Sequence, residues 1–224
     1  MNITILFEDD ALIVINKPPG MVVNRAESVK GETVQDWVEK TYRIFIADRA
    51  GIVHRIDKET SGILLVAKTP DAFTELQRQF KERIIKKTYL AIVHGKLVPE
   101  EGEINAPVGR LPWNRERFGI VPGGKEAVTK YKIQKYIKDF SIVELYPQSG
   151  RTHQIRVHLK YINHPIVGDY LYAGRKTARD DRRWAPRVML HAWKLTCLHP
   201  TTGKTLDFVA PIPDDMSTII HGHA

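Results

Sequence analysis

No apolar run in this sequence is longer than a β-strand needs. Residues 11–15 and 63–67 are continuous, rich in Ile, Leu and Val, and bounded by polar or turn-forming residues. Such runs suit strands buried on both faces and fall far short of the ~20 apolar residues that a membrane-crossing helix requires. Residues 3–7 and 11–16 read as short strands around the acidic turn Glu8, Asp9, Asp10, and Pro18, Pro19 and Gly20 stop the second. A helix is expected around 33–42, a buried strand over 62–68, and a helix over 71–83 with Ala72, Leu76, Gln79, Phe80 and Arg83 near one face. Residues 88–94, 128–136 and 140–145 alternate or cluster in the strand manner. Residues 153–161 place Ile155, Leu159 and Ile162 at helical offsets, and 188–198 and 204–209 read as closing strands. The order does not repeat as β-α-β-α. The expected fold is therefore α+β, with a mixed, largely antiparallel central sheet flanked by helices and loops, rather than doubly wound.

At 224 residues the chain can bury one sizeable core. One domain over 1–215 is expected, followed by a flexible tail over 216–224, where packing signals are few. Residues 111–125, rich in Pro, Gly and charge, read as a long surface loop. Lys and Arg outnumber Asp and Glu by 34 to 26, and the pI is about 9.5, a balance that favours polyanionic partners through counterion release. Cys197 is the sole cysteine, which excludes an intramolecular disulfide and a cysteine-rich metal site; lying in an apolar run, it reads as buried and inert. The first residues lack the basic start and long apolar segment of a secretory signal, so a cytoplasmic location is expected.

The segment His54-Arg55-Ile56-Asp57-Lys58-Glu59-Thr60-Ser61-Gly62 is polar and runs directly into the apolar stretch 63–67. A loop feeding a buried strand is a rigid platform from which to aim a carboxylate. From the residues alone, Asp57 is a nucleophile, a general base or a loop cap.

The same segment resembles the His-Arg-Leu-Asp signature of RluA-type pseudouridine synthases, with Ile56 in place of the commoner leucine. Three further segments are similar to family motifs in the same order. They are Lys17-Pro18-Pro19-Gly20, then Lys86-Lys87-Thr88-Tyr89-Leu90-Ala91, then Gly150-Arg151-Thr152-His153-Gln154-Ile155-Arg156-Val157-His158. The resemblance runs from about residue 8 to 212. The first motif begins at Lys17, so the S4-type RNA-binding domain that many relatives carry is not expected here.

The resemblance implies an RNA-binding cleft and an activity, conversion of uridine to pseudouridine within ribosomal or transfer RNA, by a chain expected to be monomeric. That reaction breaks the N1–C1′ bond, turns the base and rejoins it through C5, with no net redox change. It requires no cofactor and no metal. It does require an ionised carboxylate at the sugar, as nucleophile at C1′ or as base at C2′. By the resemblance Asp57 is that carboxylate and Arg156 its partner, opposing the proton uptake that burial would favour. Taken alone, Arg156 on an amphipathic helix would be a solvated surface arginine. Tyr89 would stack on the target base and assist loss of the C5 proton, although core packing would equally explain a tyrosine there. Arg55 would fill the space that an extruded base leaves, or contact phosphate. Ile155 would wall the pocket, and His54, Arg151 and Lys17 would join it as substrate-binding residues.

Between residues 175 and 187, Arg175, Lys176, Arg179, Arg182, Arg183 and Arg187 surround Trp184, a mixture suited to the RNA backbone. The residues admit two rival readings. A metal hydrolase built on His153, His158, His54 and Asp57 fails because His153 and His158 lack i, i+4 spacing. A noncatalytic RNA-binding module would share the basic charge but leave Asp57, Tyr89 and Arg156 unexplained.

Overall fold

A computed structural model describes residues 3–27 and 29–222. Along the chain run β1 (Thr4–Glu8), β2 (Leu12–Lys17), α1 (Val34–Tyr42), β3 (Ser61–Ala67), α2 (Pro70–Lys81) and β4 (Lys86–His94). They are followed by β5 (Glu101–Asn105), β6 (Val108–Leu111), β7 (Asn114–Ile120), β8 (Val128–Ile137) and β9 (Phe140–Pro147). The last third holds α3 (Gln154–Tyr161), α4 (Arg175–Asp181), β10 (Leu190–Leu198), β11 (Thr205–Val209) and α5 (Asp214–Ile220). The fold is α+β, and the pairs β1–β2, β2–β3, β4–β9, β8–β9, β5–β8 and β10–β11 all run antiparallel. The chain divides into two compact units, residues 1–87 with 192–211, and residues 88–191 with 212–224.

In the first unit the strand order is β1-β2-β3-β10-β11. Every residue of β3 is buried, as its unbroken apolar run requires of a strand covered on both faces. Thr33 caps α1 through a capping box with Asp36, and Thr69 with Pro70 starts α2. α2 lays Ala72 and Leu76 against Leu12, Val14, Ile63 and Leu65. Fully burying Leu76 contributes roughly 2 kcal/mol. The helix ends at Lys81, so Arg83 is not on its apolar face as the spacing suggests; it turns the chain at φ +60° toward β4. Cys197 is buried in β10, and burial pushes its thiol up to about 11, which keeps it protonated and inert.

In the second unit the order is β4-β9-β8-β5, with β6 and β7 forming a separate hairpin. That hairpin replaces the long loop expected over 111–125. Pro112 and Trp113 make its turn, Gly109 sits opposite Gly119, and the Arg110 guanidinium lies 5.1 Å from the Phe118 ring. Few apolar residues are needed because Val108, Phe118 and Ile120 pack on Val157 and Tyr172, so little periodicity reaches the sequence. The stretch read as a tail carries α5, which buries Met216, Ile219 and Ile220; residues 223 and 224 lie outside the described ones. α5 is tied down by Arg187, whose guanidinium donates to both oxygens of Asp215 at 2.6 and 2.9 Å. Among the described residues no helix is long and apolar enough to cross a membrane.

Candidate active site

The loop that bears Asp57 is fixed from three sides within the first unit. The Asp57 carbonyl accepts the Thr60 N–H at 3.1 Å, closing a tight turn over Lys58 and Glu59. Ile56 is buried beneath it. Lys17, wholly buried, donates from Nζ to the carbonyls of Pro18, Met21 and Lys58 at 2.8, 2.9 and 3.1 Å. The Gly20 N–H reaches the same Lys58 carbonyl at 2.8 Å. The Lys17-Pro18-Pro19-Gly20 segment thus clamps the residue next to Asp57. Through these three backbone oxygens Lys17 holds the loop.

His54 has a comparable task. Its Nε2 accepts the Leu65 N–H at 3.0 Å and its ring lies 4.7 Å from that of Phe80. Accepting at Nε2 fixes the proton on Nδ1. Burial, with the Lys87 charge nearby, pushes its pKa down to about 3, so the ring is neutral. Arg55, between these two anchored residues, is exposed. Gly62 ends the segment at φ +110°, where a Cβ would stand 2.2 Å from the Ala192 carbonyl oxygen; only glycine lets β3 begin there.

In the second unit α3 presents Ile155 and Arg156, both buried. Its start is built by Gln154, whose Oε1 accepts from Ser149 Oγ and the Arg151 N–H while Nε2 donates to the Val128 carbonyl and Thr129 Oγ1. Arg151 is exposed and donates from Nε to the Glu126 carbonyl at 3.2 Å. His153 precedes the helix at φ +55°, a left-handed conformation that is costly for a residue with a Cβ and is typical of functional turns. The Tyr172 hydroxyl accepts the Phe118 N–H at 3.1 Å and is hydrogen-bonded to His153 Nδ1 at 2.9 Å. His158 is buried between Thr129 Oγ1 and the Ala106 carbonyl, a structural placement.

Arg156 is not a solvated arginine. Its Nε and Nη2 donate to the two oxygens of Asp169 at 2.7 and 2.9 Å, and its guanidinium carbon lies 5.0 Å from the Tyr172 ring. Asp169 is itself fully buried, and its Oδ1 also accepts the N–H groups of Leu171 and Tyr172. Asp169, Tyr172 and Gln154 were not singled out from the sequence. The one signal was Gly168, whose φ of +75° and close approach to the Arg187 carbonyl mark a compulsory turn before Asp169. Tyr89 lies opposite Leu145 in the β4–β9 pair and is half-buried.

Of the basic run, Arg175, Lys176, Arg179 and Arg183 are exposed on and after α4. Arg182 instead turns back to donate to the Gly168 and Pro186 carbonyls at 2.8 and 2.7 Å, and Arg187 is buried on Asp215. Among the described residues there is no cluster of His, Cys, Asp and Glu that could hold a metal ion.

The family model for RNA pseudouridylate synthase matches residues 11–161, a span that holds Lys17, Asp57, Tyr89 and Arg156. The chain belongs to the RNA pseudouridylate synthase family. It is similar to ribosomal large subunit pseudouridine synthase D of Nitrosomonas europaea, at 42% identity over 96% of this chain and 64% of that protein. It is also similar to YlyB, an RNA pseudouridine synthase of Bacillus subtilis, at 40% identity over 98% of this chain and 72% of the relative. Human RNA pseudouridylate synthase domain containing 1 has the same fold, with a TM-score of 0.77 and 30% identity over 94% of this chain and 83% of that one. The chain spans about three fifths of the length of the synthase D relatives.

Proposed function

We propose that this pseudouridylate synthase domain isomerises specific uridines in structured ribosomal or transfer RNA to pseudouridine. The observation that carries the proposal is Asp57 at the head of a turn clamped by Lys17 and His54, inside the span of the family match. A carboxylate meant only to cap a loop has no need of such anchoring; one that must meet a sugar carbon or a C2′ proton does. Asp57 supplies the ionised oxygen, at C1′ or at C2′. Arg156, held by Asp169, favours the charged carboxylate, and Tyr89 with Ile155 receives the extruded base. Arg55, exposed between two fixed residues, takes the place that the base leaves. Arg175, Lys176, Arg179 and Arg183 contact the backbone of the same RNA, whereas Arg182 serves the turn it caps. Residues 1–215 act as the catalytic domain, in a cytoplasmic monomer.

Joining C1′ to C5 expels the C5 hydrogen. RNA tritiated at C5 of uridine should therefore release tritium to water while the strand stays whole. Strand scission or free uracil in place of tritiated water would refute the proposal.

A further inference from the structure

One cation of the first unit lacks the partner that its position calls for. Lys87, at the start of β4, points inward where its neighbour Lys86 points out, and its Nζ lies 5.8 Å from the centre of the Phe80 ring. Phe80 in turn packs on His54, three residues from Asp57. No carboxylate among the described residues pairs with Lys87, and burial alone pulls its ammonium below the usual lysine range. The facing groups supply no negative charge, since His54 is neutral and Phe80 apolar. A half-buried ammonium without a counter-ion destabilises the protein that carries it unless a ligand provides the anion.

The same corner holds more unpaired positive charge. Lys81 at the end of α2, Arg83 at its left-handed turn, and Lys86 are all exposed, and none forms an ion pair among the described residues. Glu82, the acidic residue among them, is engaged by Arg78. We propose that this α2–β4 corner, with Lys81, Arg83 and Lys86 outside and Lys87 at its inner end, binds the phosphodiester backbone of RNA beside the loop that carries Asp57. A phosphate oxygen would accept from Lys87 Nζ where no protein acceptor stands, and the outer three cations would follow the strand by charge alone. The inference rests on the RNA-modifying reading above and adds a binding surface to it.

The test uses the whole chain with a labelled stem-loop RNA whose loop is rich in uridine. Lys87→Met keeps an apolar stem over Phe80 and removes the charge. It should weaken binding on the order of tenfold and flatten the slope of log affinity against log salt by roughly 0.7 to 0.9, the release of one phosphate contact. Its melting temperature should hold or rise. Lys87→Arg should keep the parental salt slope. An unchanged slope in Lys87→Met, or an equal loss in Lys87→Arg and Lys87→Met, would overturn the proposal by making the residue a packing element. A parent protein that binds this RNA with the predicted Lys87 dependence but releases no tritium from any uridine would instead contradict the isomerase reading and leave the phosphate surface standing.

Discussion

The pairing of Arg156 with Asp169 can be broken by one atom. In Asp169→Asn the remaining oxygen can keep the turn, accepting from the Leu171 and Tyr172 N–H groups as Oδ1 does now. The new NH2 then stands where Oδ2 accepted Arg156 Nε at 2.7 Å, so a donor faces a donor. Arg156, only 6% exposed, keeps at most one of its two bonds to this residue. Removing the charged partner from a buried pair costs about 3–5 kcal/mol, or a fall in Tm on the order of 10 °C for a chain of this size. Arg156→Met alone leaves Asp169 charged and buried, with only the two backbone donors. Combined, Arg156→Met with Asp169→Asn removes both charges and retains the turn, so the double variant should be less destabilised than the sum of the two singles by on the order of 2 kcal/mol. Urea unfolding of the four proteins gives the cycle. Additive losses would show that Asp169 acts on the 168–172 turn alone and would remove it as the residue that orients Arg156.

Arg55→Ala should slow turnover far more than it weakens RNA affinity, because an exposed arginine between two anchored residues serves base extrusion rather than general attraction; equal losses in both would reduce it to a phosphate contact. His54 makes a stability prediction with a definite sign. Its folded pKa, about 3, lies below its unfolded value near 6.5, so its contribution is complete above pH 6.5 and is lost progressively as the pH falls toward 3. Between pH 6.5 and 5 the parent should lose up to about 2 kcal/mol more than His54→Gln, and parallel stability curves for the two proteins would show that the ring is not held neutral.

Legibility followed the physics of each element. β2, β3, β4, β8 and β9 were readable because their burial writes continuous or alternating apolar residues into the chain, and α1 and α2 because Thr33 and Thr69 cap apolar stripes. The β6–β7 hairpin was not, since its turn uses Pro112 and Trp113 and its apolar contacts are few and distant in sequence. α5 was missed because its apolar face, Met216, Ile219 and Ile220, is a single helical repeat in seven residues, and its anchor, the Arg187–Asp215 pair, leaves no local trace. The motifs named residues without showing how each is held in the fold. Lys17 and His54 turned out to hold the loop with their polar atoms, a task visible only once the carbonyls of Met21 and Lys58 and the Leu65 N–H are placed. Asp169 shares no motif with Arg156, and their pairing is visible only as a distance.

The claim on which the rest depends is that Asp57 performs the chemistry. Asp57→Asn keeps the shape of the side chain and removes its charge, and Lys17 grips the neighbouring Lys58 through its backbone carbonyl, which the substitution leaves in place. The decisive measurement is single-turnover tritium release from C5-labelled RNA by the folded Asn variant beside the parent, with RNA affinity recorded on the same samples. The variant should bind RNA as well as the parent or slightly better, since a negative charge facing a polyanion is gone, and should release no tritium. Substantial isomerisation by the folded variant would contradict the account and take Asp57 out of the mechanism.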